Sequence, residues 1–393
     1  MVDPFILNLR HLRAVSAIAQ HGSISGASQT VNLSQPALTQ GLAKLERQLG
    51  TTLFQRQSDG MIATSEGMTT GARAAAALEH LAAGARAAAR GGSRGFARPE
   101  LLMTATQLRA FLAVADTGSF VAAAGATGLS QPAIHRAVRD LEELCAVSLV
   151  ERRGRGVALT PAGTKLARGA RLARAEISAL VADVAADPAG ARLVIGAMPL
   201  CRALILPAAI ARFTREQPAA RLDIVEGSWR ELVDPLRDGV LDFMVGALRE
   251  AAPPECVQSP LMTDRLAVIA RTGHPLTGMT TPTLDDLAAF PWIVGQPGTP
   301  LRQQWEALFP GQKPAAPIEC GSVMVIRGVL IDSDFLTLLS PDQVALEVER
   351  GLLTQIGGRL DHSLRTIGVT TRERWHGSVA QMRFLAILSD VST

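Results

Sequence analysis

Apolar residues recur every three or four positions through the first part of the chain. Leu12, Val15 and Ala19 mark one face of a helix. Gly22 ends it, and Ser23 is placed to cap a second helix running through Ala27 toward Val31. After a short turn at Asn32 and Leu33, Leu38, Leu42, Leu45 and Leu49 fall on one side of a third helix. Ser34 can cap that helix, and Pro36 lies in its first turn, where a missing N–H costs nothing. Its opposite side is polar, with Gln35, Thr39, Gln40 and Lys44. Beyond Gly50 the period shortens: Leu53 and Phe54 open a strand, residues 57–60 turn, and residues 61–64 return. Two short helices, a tight turn and a hairpin predict a winged helix-turn-helix.

The same design returns 96 positions later. Residues 33–37 and 129–133 both read LSQPA, and the copies align without a gap from Leu12/Leu108 to Gly67/Gly163, with about twenty identities. A polar helix face on its own is equally compatible with plain solvation; its repetition favours a working surface. In the second copy Ile134, Val138, Leu141 and Cys145 face inward. Ser130, Gln131 and Pro132 start the helix, and His135, Arg136 and Arg139 lie on its outer side. Arg152, Arg153 and Arg155 make a basic wing suited to phosphates, whereas the first wing offers Arg56 beside Ser58 and Asp59. An Ala-rich helical stretch follows each copy, at about 66–89 and 161–186, with a Gly- and Arg-rich tether at 90–99.

From Arg192 the pattern changes again. RLVIGA, a helix at about 204–213, RLDIVEG, a helix at 229–236 and LDFMVGA form a βαβ rhythm that predicts a parallel sheet with covering helices. LAVIAR, WIVGQ and FLTLLS are expected to continue it. Ligands in such folds sit at the carboxyl ends of strands. This points to Pro199, Leu200, Cys201 and Arg202, to Ser228 and Trp229, and to Gly246 and Ala247, with Gln296, Ser322 and Met324 further on.

Composition refines this picture only a little. The length, 393 residues, suits two or three domains. Residues 1–188 hold 20 Lys and Arg against 14 Asp and Glu; the remainder holds 19 against 22. A basic front half suits a polyanion without requiring one. Cys145, Cys201, Cys256 and Cys320 form no CxxC pair, so neither a zinc site nor a disulfide framework is expected. No signal peptide or membrane-spanning apolar run is evident, and a cytoplasmic protein with no membrane partner is expected. H-E-x-x-H and a complete Gly-rich phosphate loop are missing, and the one G-x-S-x-G match, at 91–95, falls in the Gly- and Arg-rich tether rather than between a strand and a helix, which argues against an enzyme and calls for no cofactor or metal.

LSQPALTQGLAKLERQLGTTLFQR with Thr64-Ser65-Glu66-Gly67, and LSQPAIHRAVRDLEELCAVSLVER with Leu159-Thr160-Pro161-Ala162-Gly163, resemble the head of LysR-type transcriptional regulators, normally present once per chain. The C-terminal half resembles that family's effector domain. The resemblance implies a multidomain chain: two all-α, winged helix-turn-helix domains, then an α/β two-lobed periplasmic-binding-protein-like effector domain. The heads would occupy 1–66 and 104–163, with a linker helix and tether at 67–103 and a second linker helix at 164–190. The effector domain would occupy 191–393, with lobe I at about 191–268 and 363–393, and lobe II at about 269–362.

Departures from the family pattern differ between copies. Ser58, Asp59 and Ala63 weaken the first wing; Ala146, Val150 and His135 stand where Gly, Phe and Ser or Thr are usual in the second. The heads are then expected to prefer different half-sites, or one of them to contact DNA nonspecifically. In the family, linker helices pair between subunits; here the two heads can pair within one chain. Cys201 lies where the family often presents Ser or Thr to its ligand, although a buried structural thiol fits too. Arg202, Arg249, Arg302 and Arg327 are candidate partners for a carboxylate effector. The implied partners are double-stranded promoter DNA, a small organic effector, RNA polymerase and further copies of the chain. The alternative is an α/β ligand sensor whose heads, one or both, are vestigial.

Overall fold

The computed structural model describes residues 4–31, 33–57, 60–90, 96–185, 191–199, 201, 205–311, 313–358 and 360–392. The first head comprises α1 (Leu9–His21), α2 (Ile24–Val31), α3 (Gln35–Leu49), β1 (Phe54–Gln57) and β2 (Gly60–Ala63), followed by the linker helix α4 (Ser65–Ala89). The second repeats it as α5 (Ala105–Thr117), α6 (Phe120–Thr127), α7 (Gln131–Cys145), β3 (Val150–Arg153), β4 (Gly156–Leu159) and α8 (Pro161–Val184).

Many of the identities between copies now have physical reasons. Glu46 Oε1 accepts from the backbone N–H of Leu53 at 2.8 Å and Phe54 at 3.3 Å, tying α3 to the wing. Glu142 repeats this with Leu149 and Val150 at the same distances. The carbonyls of Gly22 and Gly118 accept from Met61 and Val157, pinning each wing to the turn after the first helix. A Cβ at Gly67 or Gly163 would lie 1.9 Å from the carbonyl oxygen of Leu53 or Leu149, so only glycine fits where the linker helix leaves the wing.

The copies part at the end of the third helix. Gly50 closes α3 at φ 69°, whereas Ala146 closes α7 in the same left-handed region at φ 54°. An L-residue with a Cβ is strained there by about 1 kcal/mol. Ala146→Gly is therefore expected to stabilise the chain by about 1 kcal/mol, seen as a higher urea midpoint at constant slope. An unmoved midpoint would contradict the strain.

Helices α4 and α8 pack on each other antiparallel within the one chain, with Gly84 against Gly169. Each head's first helix packs on its own linker helix. The segments entering the heads cross over: the turn Pro4–Ile6 packs on α5 and α8, and the turn Pro99–Leu101 packs on α4. Arg13 donates from both terminal nitrogens to the carbonyls of Leu101 and Glu100, at 2.9 and 2.6 Å. One apolar core consequently runs through both heads and both linker helices.

The effector domain continues with β5 (Arg192–Ala197), α9 (Ile205–Glu216), β6 (Arg221–Glu226), α10 (Trp229–Arg237), β7 (Phe243–Ala247) and β8 (Cys256–Asp264). Lobe II holds β9 (Ala267–Arg271), α11 (Leu284–Ala288), β10 (Trp292–Val294), α12 (Pro300–Leu308), β11 (Ile318–Glu319), α13 (Val323–Ile331), β12 (Leu336–Leu339), α14 (Ala345–Glu349) and β13 (Leu353–Ile356). The chain then returns to lobe I as β14 (Arg365–Arg372) and α15 (Val379–Asp390). The two sheets have the orders β6-β5-β7-β14-β8 and β11-β10-β12-β9-β13.

The parallel rhythm expected from sequence holds only in part. β5 is parallel to β6 and β7, and β10 to β11 and β12, but β14 and β9 run antiparallel to their neighbours. Both antiparallel strands directly follow a crossover between lobes, so they enter their sheets from the opposite end. β8 carries Pro260 and no apolar run, as an edge strand allows, and gave no strand signal. Ala267 and Val268 belong to β9, so lobe II begins slightly before the expected boundary.

Candidate nucleic-acid interface and effector cleft

The N-termini of α3 and α7 are built alike. Ser34 and Ser130 accept from the N–H of Ala37 and Ala133, each at 3.4 Å, so these hydroxyls serve as caps at the exposed helix starts. Along α3, Gln35, Pro36, Gln40 and Lys44 are exposed, while Thr39 is half-buried and donates to the Gln35 carbonyl at 3.0 Å. Along α7, Gln131, Pro132, His135, Arg136 and Arg139 are all exposed. The His135 ring stacks on Phe120 of α6, centroids 3.7 Å apart and 14° from parallel. Arg56, Arg152, Arg153 and Arg155 project from the two wings into solvent. Asn32, Ser58 and Asp59 lie outside the described residues.

The effector candidates scatter. Pro199 is exposed; Leu200 and Arg202 lie outside the described residues. Cys201 is buried, its sulfur 3.1 Å from the carbonyl oxygens of both Met198 and Val245. Gly246 lies beneath Met198, whose Cε would be 2.2 Å from an added Cβ, and Ala247 beside it is half-buried. Ser228 caps α10, with Glu231 returning to its N–H at 2.7 Å. Burial is not what perturbs Glu231: that backbone hydrogen bond, above all, holds its carboxyl below the usual range. Trp229 packs on the cluster of Met198, Leu232 and Met244, with the Arg249 guanidinium 5.3 Å from its ring centre. Gln296, Ser322 and Met324 are exposed on lobe II. Arg302 is engaged by Glu306 and Glu319 at 3.0 and 2.8 Å, and Arg327 by Glu347. These two arginines, expected to meet a carboxylate ligand, already hold carboxylates of their own lobe.

Sequence reading missed the groups that join the lobes. Asp264 accepts from Ser340 Oγ and Arg365 Nε, both at 2.7 Å, and Gln343 Oε1 accepts from the Ser340 N–H at 3.2 Å. Cys201, Ile205, Met262, Asp264, Ser340 and Gln343 line a small space of about 20 Å³ beside this contact. The traceable signal was Ser340-Pro341-Asp342-Gln343, a capping box directly after the apolar strand β12. A larger cavity, about 350 Å³, lies instead between α4, α8 and lobe I, bordered by His80, Arg168, Arg237, Arg372 and Trp375. Burial lowers the His80 pKa there, opposed mainly by Glu176.

The family model for the LysR substrate binding domain matches residues 186–392. That for the bacterial regulatory helix-turn-helix protein, lysR family, matches twice, at 9–68 and 105–164. The chain belongs to the LysR family. Among relatives of this LysR-family regulator, the HTH-type transcriptional regulator GalR of Pseudomonas putida is 33% identical over 399 residues, spanning 100% of this chain and 99% of that one. That alignment takes in both heads. The SDS degradation transcriptional activation protein of a Pseudomonas strain is also 33% identical, over 63% of this chain and 82% of that protein. A full-length OxyR variant from Pseudomonas aeruginosa shares the fold with a TM-score of 0.59 at 24% identity, covering 74% of this chain and 94% of that one. ArgP from Mycobacterium tuberculosis gives the same TM-score at 19% identity, over 73% and 96%. The chain is thus a LysR-type transcriptional regulator with a duplicated helix-turn-helix domain and a substrate-binding domain. Among the described residues, no helix is long and apolar enough to cross a membrane.

Proposed function

We propose that this regulator places both heads of one chain on promoter DNA as a single intramolecular pair, under the control of a small organic effector held between the lobes. The observation that carries this reading is the packing of α4 on α8 through Gly84 and Gly169. It supplies within one chain the helix pair that the family ordinarily assembles from two subunits. A homodimer then carries four heads.

The faces of α3 and α7 enter successive major grooves, while the wing arginines Arg152, Arg153 and Arg155 hold phosphates. Effector binding parts the lobes at Asp264, Ser340 and Arg365 and favours one lobe arrangement. The linker helices carry that change to the heads, and DNA bending or contact with RNA polymerase follows. Footprinting on a cognate promoter, combined with sedimentation of the complex, tests the pairing. Two subunits with four heads on DNA are expected; four subunits with eight engaged heads would refute it.

A further inference from the structure

We infer that the stretch of DNA bound by one chain is asymmetric, with two unlike halves in a fixed order, the half under α7 requiring guanine where the half under α3 does not. This rests on the heads being DNA readers, as proposed above.

The argument begins with symmetry. When two identical heads pair across a dyad, the halves they select must match. In this chain the pair is internal, and its members differ at aligned positions of the exposed helix face. Gln40 aligns with Arg136, Ala43 with Arg139, Thr39 with His135 and Lys44 with Asp140. Gln35 and Gln131, one turn earlier, are the same. A guanidinium in the major groove makes two parallel hydrogen bonds to guanine O6 and N7, whereas a glutamine amide pairs with adenine N6 and N7. The shared glutamine gives the halves a common element, and Arg136 against Gln40 gives them a difference.

Local packing keeps that difference in place. The stack of His135 on Phe120 fixes the imidazole beside Arg136. At the aligned place in α3, the Thr39 hydroxyl is turned back onto its own helix. The wings differ in the same sense, with Arg153 aligned to Gln57. Nor does the rest of the molecule restore a dyad. The effector domain is held by Arg73, Arg168 and Asp183. Their counterparts in the other linker helix are Gly169, Ala72 and Ala87, which carry no charge. Heads and effector domain alike therefore give the chain a direction along DNA.

Selection of the full-length chain on a random duplex library, followed by sequencing, tests this. Each bound unit should contain two unlike halves. Arg136→Ala should lower affinity for the selected unit about tenfold to a hundredfold, relaxing base preference in one half alone; Gln40→Ala should relax the other. Giving α7 the α3 residues at three of these positions, with His135→Thr, Arg136→Gln and Arg139→Ala together, should shift the selected unit toward an inverted repeat. All four changed positions are at the surface, and thermal melts of the variants establish that they fold. A perfect inverted repeat within the unit under the two heads of one chain, as distinct from the repeat of whole units that a dimer imposes, or equal relaxation of both halves of that unit by Arg136→Ala, would overturn the inference. No enrichment over random duplex would instead overturn the DNA-reading role itself.

Discussion

Gly169→Leu is expected to destabilise the chain by about 3 kcal/mol or more and to release the two linker helices from each other. A Cβ at this position would lie 2.7 Å from both the Gly84 Cα and the His80 carbonyl oxygen. Both obstacles are backbone, so no rotamer change relieves them; the helices must separate. Separation exposes Leu81, Ile177 and Leu180, all at most 1% exposed in the pair. Urea unfolding reads the stability loss, and sedimentation reads the self-association that freed apolar faces promote. Gly125→Ala is the contrasting case. Gly125 lies within α6 with nothing near its Cβ position, so alanine should stabilise that head by about 0.5–1 kcal/mol. A native-like midpoint for Gly169→Leu would mean that the linker pairing contributes nothing to the fold.

The heads were legible because local rules and tertiary packing agree there. Leu38, Leu42, Leu45 and Leu49 lie at helical spacing and are all buried, and the serine caps fall where the chain pattern puts them. The linker helices were legible as helices, at Ser65–Ala89 and Pro161–Val184. Which helix each would choose as partner was open, since small residues at the close approach, such as Gly84, only reveal their meaning once Gly169 faces them. In the effector domain β5, β6, β7, β9, β10 and β12 were legible, whereas the edge strands β8, β11 and β13 and the returning strand β14 were not. The cleft was the least legible part. Asp264, Ser340 and Arg365 lie far apart in the chain and meet through two crossovers, a long-range arrangement with no periodic trace. Conversely, Arg327 looked available because its partner Glu347 is 20 positions away, beyond any local pattern, and Arg302 looked available although Glu306 stands at i+4, its second partner Glu319 being 17 positions away.

Arg73→Ala should uncouple the effector domain from the head pair while leaving the heads folded. This one guanidinium reaches three parts of the molecule. It binds Glu176 and Asp183 of α8 at 3.1 and 2.9 Å, and the carbonyls of His376 and Gly377 at 2.8 and 3.0 Å. The other Asp183 oxygen accepts from the Val379 N–H at 2.8 Å, at the first turn of α15. Arg73, Glu176 and Asp183 have side chains only 11%, 10% and 8% exposed, so solvent screens the cluster weakly. Removing the cation strands two carboxylates in that setting and should cost about 3–5 kcal/mol. The loss should fall where the contacts are. Amide hydrogen exchange is expected to rise at residues 376–380, with α3 and α7 keeping their protection. The triple change Arg73→Met, Glu176→Gln and Asp183→Asn leaves no unpaired charge, while the asparagine oxygen can still accept from Val379. It should recover most of the stability. Uniformly faster exchange through both heads after Arg73→Ala would show that the arginine supports the linker pair rather than the joint to the effector domain.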